Sequence, residues 1–175
     1  MLLGGDYIDS KRGVIFFDHL INGLSMIENV VMIPGNHDFY FGIEKIKSKA
    51  EKNNLHWLQN GEIVLEVNGT NFIITDQSNF TENKNTIKIA LVHKPKAIEG
   101  INGKFDLAFA GHLHGAQFVF WQKKQSLYPG RLFYKYNRLK MKTKGLTYFI
   151  NKGLGDTLPI RYNCTKEMIL VSLNQ

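Results

Sequence analysis

The sequence has little cysteine and no long apolar run, and both shortages narrow what the chain can be. Cys164 is the only cysteine in 175 residues, so no internal disulfide can form and nothing requires an oxidising compartment. No apolar run approaches the ~20 residues needed to span a bilayer. The first three residues run straight into Gly4-Gly5-Asp6, unlike a signal peptide. We therefore expect a protein in the cytoplasm or peripheral to the cytoplasmic membrane; any upstream signal or anchor would lie outside this chain.

Acidic residues are absent from segment 122–144, in which lysines and arginines are interleaved with aromatic and aliphatic residues. The whole chain carries a net charge of +7. This pattern suits an anionic membrane surface at least as well as a polynucleotide. A lysine-rich solvated surface is the alternative. Because no platform for base stacking is evident, we predict a membrane-surface partner for this segment and no specific nucleic acid.

The rest of the composition is ordinary for a globular protein. Apolar residues make up 43% and charged residues 21%, and the length is sufficient for one sizeable core. No repeat or linker divides the chain, so we predict a single domain over residues 1–175, present as a monomer.

Apolar spacing predicts an α/β chain. Helical spacing predicts helices over residues 14–27 and 43–53. Alternation around Asn68-Gly69 predicts a hairpin over residues 62–75, followed by a polar loop over residues 76–86. Short apolar runs predict strands over residues 30–33, 87–92, 105–110, 146–150 and 168–173.

Strand-like runs end, one after another, in side chains that can bind metal. These are Asp6, the pair Asn36-His37, His93 and His112. Ligands in open α/β sheets bind beyond the carboxyl ends of strands. A carboxylate can bridge two cations, imidazoles suit Zn, Fe and Mn, and an amide oxygen adds a ligand without charge. Taken alone, the Gly-Asp and Gly-Asn-His-Asp motifs are explained by turns, and His93 is explained by an ordinary histidine at a strand end. The order and spacing of all the motifs together predict a metal site.

These blocks carry a resemblance to a known family. Gly5-Asp6-x-x-Asp9, Gly35-Asn36-His37-Asp38, His93 and Gly111-His112-x-His114 resemble the successive blocks of calcineurin-like metallophosphoesterases over nearly the whole chain. Residues 115–117, 152–155 and 158–163 resemble the bacterial branch that includes the phosphodiesterases YkuE and YaeI. The resemblance implies a metallophosphoesterase-type β-sandwich flanked by helices, a four-layer αββα fold, here lacking its first strand or strands.

The resemblance also implies a role for each site residue. Two divalent metal ions, Mn, Fe or Zn, would be held in a binuclear site. His37 would face the scissile phosphate and protonate the leaving oxygen, with Asp9 as its orienting partner, while Asp38 is explained most simply as part of a turn. The implied metal ligands are Asp6 as the bridge, Asn36, His93 and His112 at the second metal, and His114 at the first.

The implied reaction is hydrolysis of a phosphoester by a metal-bound hydroxide attacking phosphorus in line, as in a phosphodiesterase or pyrophosphatase. The basic segment suggests a lipid-linked or membrane-proximal substrate. The family begins with an Asp-x-His block that cannot fit in the five residues before Asp6. We therefore expect an incomplete first metal site and little turnover from this chain. A truncated, non-catalytic metal-binding or scaffold form of the fold is the alternative.

Overall fold

The computed structural model describes residues 1–10, 12–81, 85–101, 105–143 and 146–173. Its first half contains a small parallel sheet with strand order β1-β2-β3. The three strands are β1 (Leu2–Leu3), β2 (Val31–Met32) and β3 (His56–Trp57). Between β1 and β2 lies α1 (Gly13–Leu24), and between β2 and β3 lie the short α2 (Asn36–Tyr40) and α3 (Ile43–Lys52).

A second, six-stranded sheet has the order β10-β11-β7-β6-β5-β4. Its central strands β5, β6, β7 and β11 are parallel, and the edge strands β4 and β10 run antiparallel to their neighbours. A separate antiparallel pair, β8 and β9, precedes α4 (Gly130–Phe133). The strands are β4 (Glu62–Val67), β5 (Thr70–Thr75), β6 (Thr86–Val92), β7 (Leu107–Ala110), β8 (Val119–Lys123), β9 (Ser126–Pro129), β10 (Lys140–Thr143) and β11 (Leu146–Ile150).

Buried apolar residues join the two sheets face to face. Val31 and Leu58 from the small sheet pack with Ile74, Ile89 and Leu91 from the large one. The other face of the small sheet is covered by α1 and α3, whose inward residues recur at helical spacing. This arrangement confirms the predicted sandwich flanked by helices. The outer face of the large sheet is covered by a 3-10 segment, Pro95–Ile101, instead of a long helix.

Most predicted elements are confirmed, with shifts at their ends. The hairpin turns at Asn68 and Gly69, both at positive φ, as a tight hairpin turn requires. Helix α1 ends at Leu24, three residues before its predicted end. In the predicted loop, residues 76–81 form neither helix nor strand, and residues 82–84 lie outside the described part.

The strand predicted over residues 168–173 is wrong. This segment belongs to no sheet, and Leu170 is 93% exposed. Alternating apolar residues favour an extended backbone, but they do not provide a partner edge. Glu167, just before this segment, is anchored by an ion pair with Lys152, in which Nζ and Oε2 are 3.0 Å apart.

None of the helices in the described ranges is long and apolar enough to cross a bilayer.

The carboxyl ends of β1 and β2 meet through two glycines. Gly5 has φ +88°, and a Cβ built there would lie 2.3 Å from the backbone nitrogen of Gly35. A Cβ at Gly35 would lie 2.1 Å from Oδ1 of Asp6. Both distances are far shorter than any tolerable contact, so only glycine lets the two loops touch.

We predict that Gly35→Ala lowers the free energy of unfolding by about 2–4 kcal/mol, because the methyl group must push Asp6 and its loop aside. Urea denaturation would measure the change. Gly4→Ala is the matched control: a Cβ at Gly4 meets nothing within 4 Å, so we expect a change within about 0.5 kcal/mol. Equal effects of the two substitutions would contradict the proposed close packing.

Candidate metal centre

Three of the predicted ligands converge at the carboxyl ends of strands from both sheets. Asp6 follows β1, His93 follows β6 and His112 follows β7. One ligand atom from each lies within 4.8 Å of the other two. Nε2 of His93 is 3.2 Å from Oδ2 of Asp6 and 3.0 Å from Nδ1 of His112. This spacing fits a set of donors around one cation.

Asn36 supplies a fourth donor to the same cluster. It begins α2 just beyond β2, and its Oδ1 lies 3.0 Å from Nε2 of His93. Four strands, two from each sheet, therefore bring one side chain each to a common point. The four-end pattern predicted from the sequence is present in the structure.

A backbone carbonyl fixes the tautomer of His93. Its Nδ1 lies 2.6 Å from the carbonyl oxygen of Gly4. Because a carbonyl can only accept, Nδ1 carries the proton and donates it. In the neutral ring the other nitrogen, Nε2, then presents a lone pair towards Asp6, Asn36 and His112. A histidine ligand held by such a bond is a common feature of metal sites.

The cluster therefore contains more acceptors than protons, and this is the observation that fits a cation. A carboxylate oxygen, an amide oxygen and a ring nitrogen all lie within 3.2 Å of the lone-pair side of His93. A divalent ion would bind all four atoms at once.

The pKa shifts of the clustered side chains reflect the same excess of acceptors over protons. Burial alone would lower the pKa of His93, but the hydrogen bonds to Asp6 and Gly4 outweigh it and raise that pKa. Burial would raise the pKa of Asp6, yet bonding to His93 and to the backbone of His37 lowers it. Burial, followed by the charge of His93, lowers the pKa of His112. Without metal, a proton on His93 therefore pairs with Asp6.

The carboxylate of Asp38 ties the two glycine loops together. Its Oδ2 accepts the backbone N–H groups of Gly35 and Asp6, each at 2.8 Å. Its Oδ1 accepts those of Tyr7 at 2.8 Å and Ile8 at 3.3 Å. The side chain is completely buried, and burial raises its pKa although the four N–H groups act in the opposite direction. The turn role predicted for Asp38 is thus extended, because it also organises the loop that carries Asp6.

The backbone of the site is held in an uncommon conformation. Asp6 has φ 61°, His112 φ 70° and His114 φ 48°, all in the left-handed region. Each such residue costs about 1–3 kcal/mol, which the surrounding hydrogen bonds and packing must offset.

His114 is not part of the three-residue cluster. Its Nδ1 is buried and has no hydrogen-bond partner among the described residues. A Cβ on Gly153 would lie 3.7 Å from this atom, so the ring lies against that glycine. Burial, followed by the charge of Arg161, lowers the pKa of His114. Its role as a ligand of the first metal stays a prediction.

His37 and Asp9 are placed at the edge of the cluster. The backbone N–H of His37 donates to Oδ1 of Asp6 at 2.9 Å, and the residue is half-buried. Asp9 is exposed and, in the described part of the chain, makes no hydrogen bond to His37. The catalytic role of His37 and the orienting role of Asp9 therefore stay predictions.

Several supporting residues were not predicted from the sequence. The hydroxyl of Tyr7 lies within hydrogen-bond distance of the carbonyls of Leu3 and Ile33, at the ends of β1 and β2. Gln117, which is buried, bonds the backbone of residues 157–160 through both ends of its amide. The position of Gln117 just after the Gly111-His112-x-His114 block was the available signal, but side-chain spacing does not reveal such backbone contacts.

The fold and the site define a class: an α/β sandwich with a cluster of Asp, Asn and His side chains at its strand ends that could hold a metal ion. A sequence profile described as calcineurin-like phosphoesterase matches residues 1–116. The chain belongs to this family.

Two relatives come from Helicobacter pylori, and both are named uncharacterized metallophosphoesterase. The one from strain ATCC 700392 / 26695 is 30% identical over 135 residues, covering 67% of this chain and 36% of the relative. The one from strain J99 / ATCC 700824 is 25% identical over 197 aligned positions, covering 99% of this chain and 50% of the relative. The chain thus spans half or less of the length of these relatives. Membership of the bacterial branch that includes YkuE and YaeI stays a prediction.

We predict that Asp38→Asn lowers the free energy of unfolding by about 3 kcal/mol. The amide would turn an NH₂ group towards two of the four N–H donors and leave them unsatisfied in a buried place. Chemical denaturation would measure the loss. Asp9→Asn makes the same chemical change at an exposed carboxylate, so it should stay within about 0.5 kcal/mol of the parent. If Asp38→Asn were equally mild, the carboxylate would not be what joins the loops.

Proposed function

We propose that the cluster is the metal centre of a phosphodiesterase or pyrophosphatase, which hydrolyses its substrate without a covalent enzyme intermediate. The supporting observation is the convergence of Asp6, Asn36, His93 and His112, whose acceptor atoms lie together without enough protons to pair them. Because the relatives are at least twice as long as the part matched here, the activity of the whole protein is itself part of the proposal.

The role proposed for each residue follows from the chemistry of its side chain or carbonyl. Asp6, Asn36, His93 and His112 would hold the cation, and the Gly4 carbonyl keeps the His93 lone pair turned inwards. A divalent cation supplies Lewis-acid charge for the phosphoryl oxygens and acidifies water near neutral pH. The second ion of a binuclear pair would draw on Asp6 and His114.

His37 is the candidate general acid. It follows Asn36 in the first turn of α2, and its backbone is fixed to Asp6. In the proposal, the His37 ring donates a proton to the leaving oxygen. The net positive charge of the chain favours approach of phosphate anions. A lipid-linked phosphate as the substrate is the finer part of the proposal.

Removal of one central ligand should abolish tight metal binding. We expect His93→Ala to weaken Mn²⁺ binding by at least about 100-fold in calorimetric titration, since outer-shell changes alone cost 10–100-fold. His19→Ala is the control, because His19 is exposed on α1. An unchanged affinity in His93→Ala would show that the cluster is not the metal centre.

Replacement of the proposed acid should separate catalysis from binding. With bis-p-nitrophenyl phosphate, added Mn²⁺ and a chain extended by an upstream Asp-x-His segment, we expect His37→Gln to lower kcat by about 100-fold and to leave the Mn²⁺ affinity within about twofold. If the extended chain binds Mn²⁺ through His93 but hydrolyses nothing, the result supports the alternative, a metal-binding scaffold form of the fold. The placement of His114 outside the cluster is the observation that favours this alternative.

A further inference from the structure

The hairpin of β8 and β9 exposes a group of aromatic rings. Phe120 is 61% exposed and Trp121 is 49% exposed. Trp121 stacks on Tyr128 of the opposite strand, with ring centroids 5.1 Å apart. Phe120 meets Tyr162 edge to face at 5.7 Å. We call these four residues the aromatic surface. Exposed apolar patches of this kind are a mark of interaction sites.

The aromatic surface is held outward by what lies beneath it. Val119 and Leu127 of the same hairpin are buried with Cys164 in a small core. The N–H of Val119 donates to the carbonyl of Tyr162, and Phe118 forms a β-bridge with Tyr162. The rings therefore cannot turn inward unless this core and these bonds are broken.

Two lysines stand at the tip of the same hairpin. Lys123 lies two residues after Trp121 in β8, so both side chains project from one face of the strand. Lys124 follows in the turn. Both are exposed, and neither forms an ion pair within the described ranges.

Two other lysines of segment 122–144 have partners elsewhere in the chain. Lys135 pairs with Glu99, and Lys140 lies over the ring of Phe149. Lys144 lies outside the described residues. Lys123 and Lys124 are the lysines of the segment that share the hairpin with exposed aromatic rings. Of the aromatic surface, Phe120, Trp121 and Tyr162 lie outside that segment.

We infer that the aromatic surface, together with Lys123 and Lys124, binds the surface of an anionic phospholipid bilayer. Tryptophan and tyrosine rings suit the headgroup level, where one end is apolar and the other is hydrated. Lysines beside them are attracted to anionic lipids. Leu132 and Phe133, which follow β9 in α4, are two further exposed apolar residues near the base of the hairpin.

The same features disfavour other partners. A second copy of the chain would place Lys123 and Lys124 against their own like charges. Trp121 and Tyr128 each use one face on the other, which halves the ring area open to base stacking. Leu132 and Phe133 offer such a ligand no hydrogen bond.

The surface is structurally joined to the metal centre. Gln117, at the end of the loop that carries His112 and His114, fixes residues 157–160, and Cys164 donates to the carbonyl of His114. The hairpin and the loop that carries His112 and His114 are thus linked by hydrogen bonds through residues 157–164. The inference goes beyond the proposed function and does not depend on hydrolysis.

Vesicle co-sedimentation of the chain tests this inference. We expect binding to phosphatidylcholine vesicles that contain phosphatidylglycerol, weakening as salt is raised, and at least tenfold weaker binding to phosphatidylcholine alone. Lys123→Glu/Lys124→Glu should weaken binding to the anionic vesicles about tenfold or more, and Phe120→Ala/Trp121→Ala should do the same.

Matched variants separate this surface from general charge and general hydrophobicity. Lys45→Glu/Lys52→Glu makes the same charge change at exposed positions of α3, and Ile15→Ala/Phe16→Ala removes exposed apolar side chains from α1. Both should stay within about twofold of the parent. Thermal unfolding by circular dichroism confirms that each variant is folded.

Equal losses in the surface and control variants would overturn the inference, because net charge or apolar area alone would then explain binding. A single-stranded oligonucleotide that binds at physiological salt more tightly than the anionic vesicles, and loses affinity in Phe120→Ala/Trp121→Ala, would also overturn it. Mn²⁺ titration of the same samples shows independently whether the proposed metal centre is intact. A failure at the membrane is thus distinguishable from a failure of the proposed function.

Discussion

The site depends on one buried carboxylate. Asp38 accepts four backbone N–H groups, two through each oxygen, from the loops that follow β1 and β2. Those N–H groups would otherwise be unpaired at the ends of short strands, where no sheet partner remains. The carboxylate holds both loops, and Gly5 and Gly35 are in close contact between them. Asp6, which follows Gly5, has a left-handed backbone in this loop. The Asp38 carboxylate is costly to bury, and its hydrogen bonds fix the position of the neighbouring Asp6.

The acceptor-rich cluster is the electrostatic consequence of that geometry. The Gly4 carbonyl holds Nδ1 of His93, so the lone pair of its Nε2 faces the cluster. Three acceptor atoms, from Asp6, Asn36 and His112, surround that lone pair. The sheets restrict this arrangement, because each of the four side chains follows a packed strand within a few residues. The positive charge that the cluster requires must come from a proton or a cation. A divalent ion would bind all four acceptor atoms at once. A proton on Nε2 of His93 that pairs with Asp6 would leave Nδ1 of His112 without a hydrogen from His93.

The sequence was sufficient to predict the elements with strong periodicity and the side chains that converge at their ends. The strand ends carrying Asp6, Asn36, His93 and His112 were recognisable because a polar residue follows each apolar run, in three cases after a glycine. The strand expected over residues 168–173 failed because alternation does not identify a pairing edge. The bonds of Asp38, Gly4 and Gln117 could not be predicted, since each joins a side chain or carbonyl to backbone far away in the chain. Local patterns contain no information about such contacts.

The last part of the chain connects the loop of His112 and His114 with the hairpin of β8 and β9. Arg161 bonds Asp156 and the carbonyls of Lys152 and Gly155, which holds the glycine-rich turn against His114. The same segment continues into Tyr162, which pairs with β8 and contacts Phe120. A displacement of the aromatic ring would therefore be resisted by the contacts that hold His114. Because the sheet ends are fixed by their own packing, this segment is the direct structural link between the hairpin and His114.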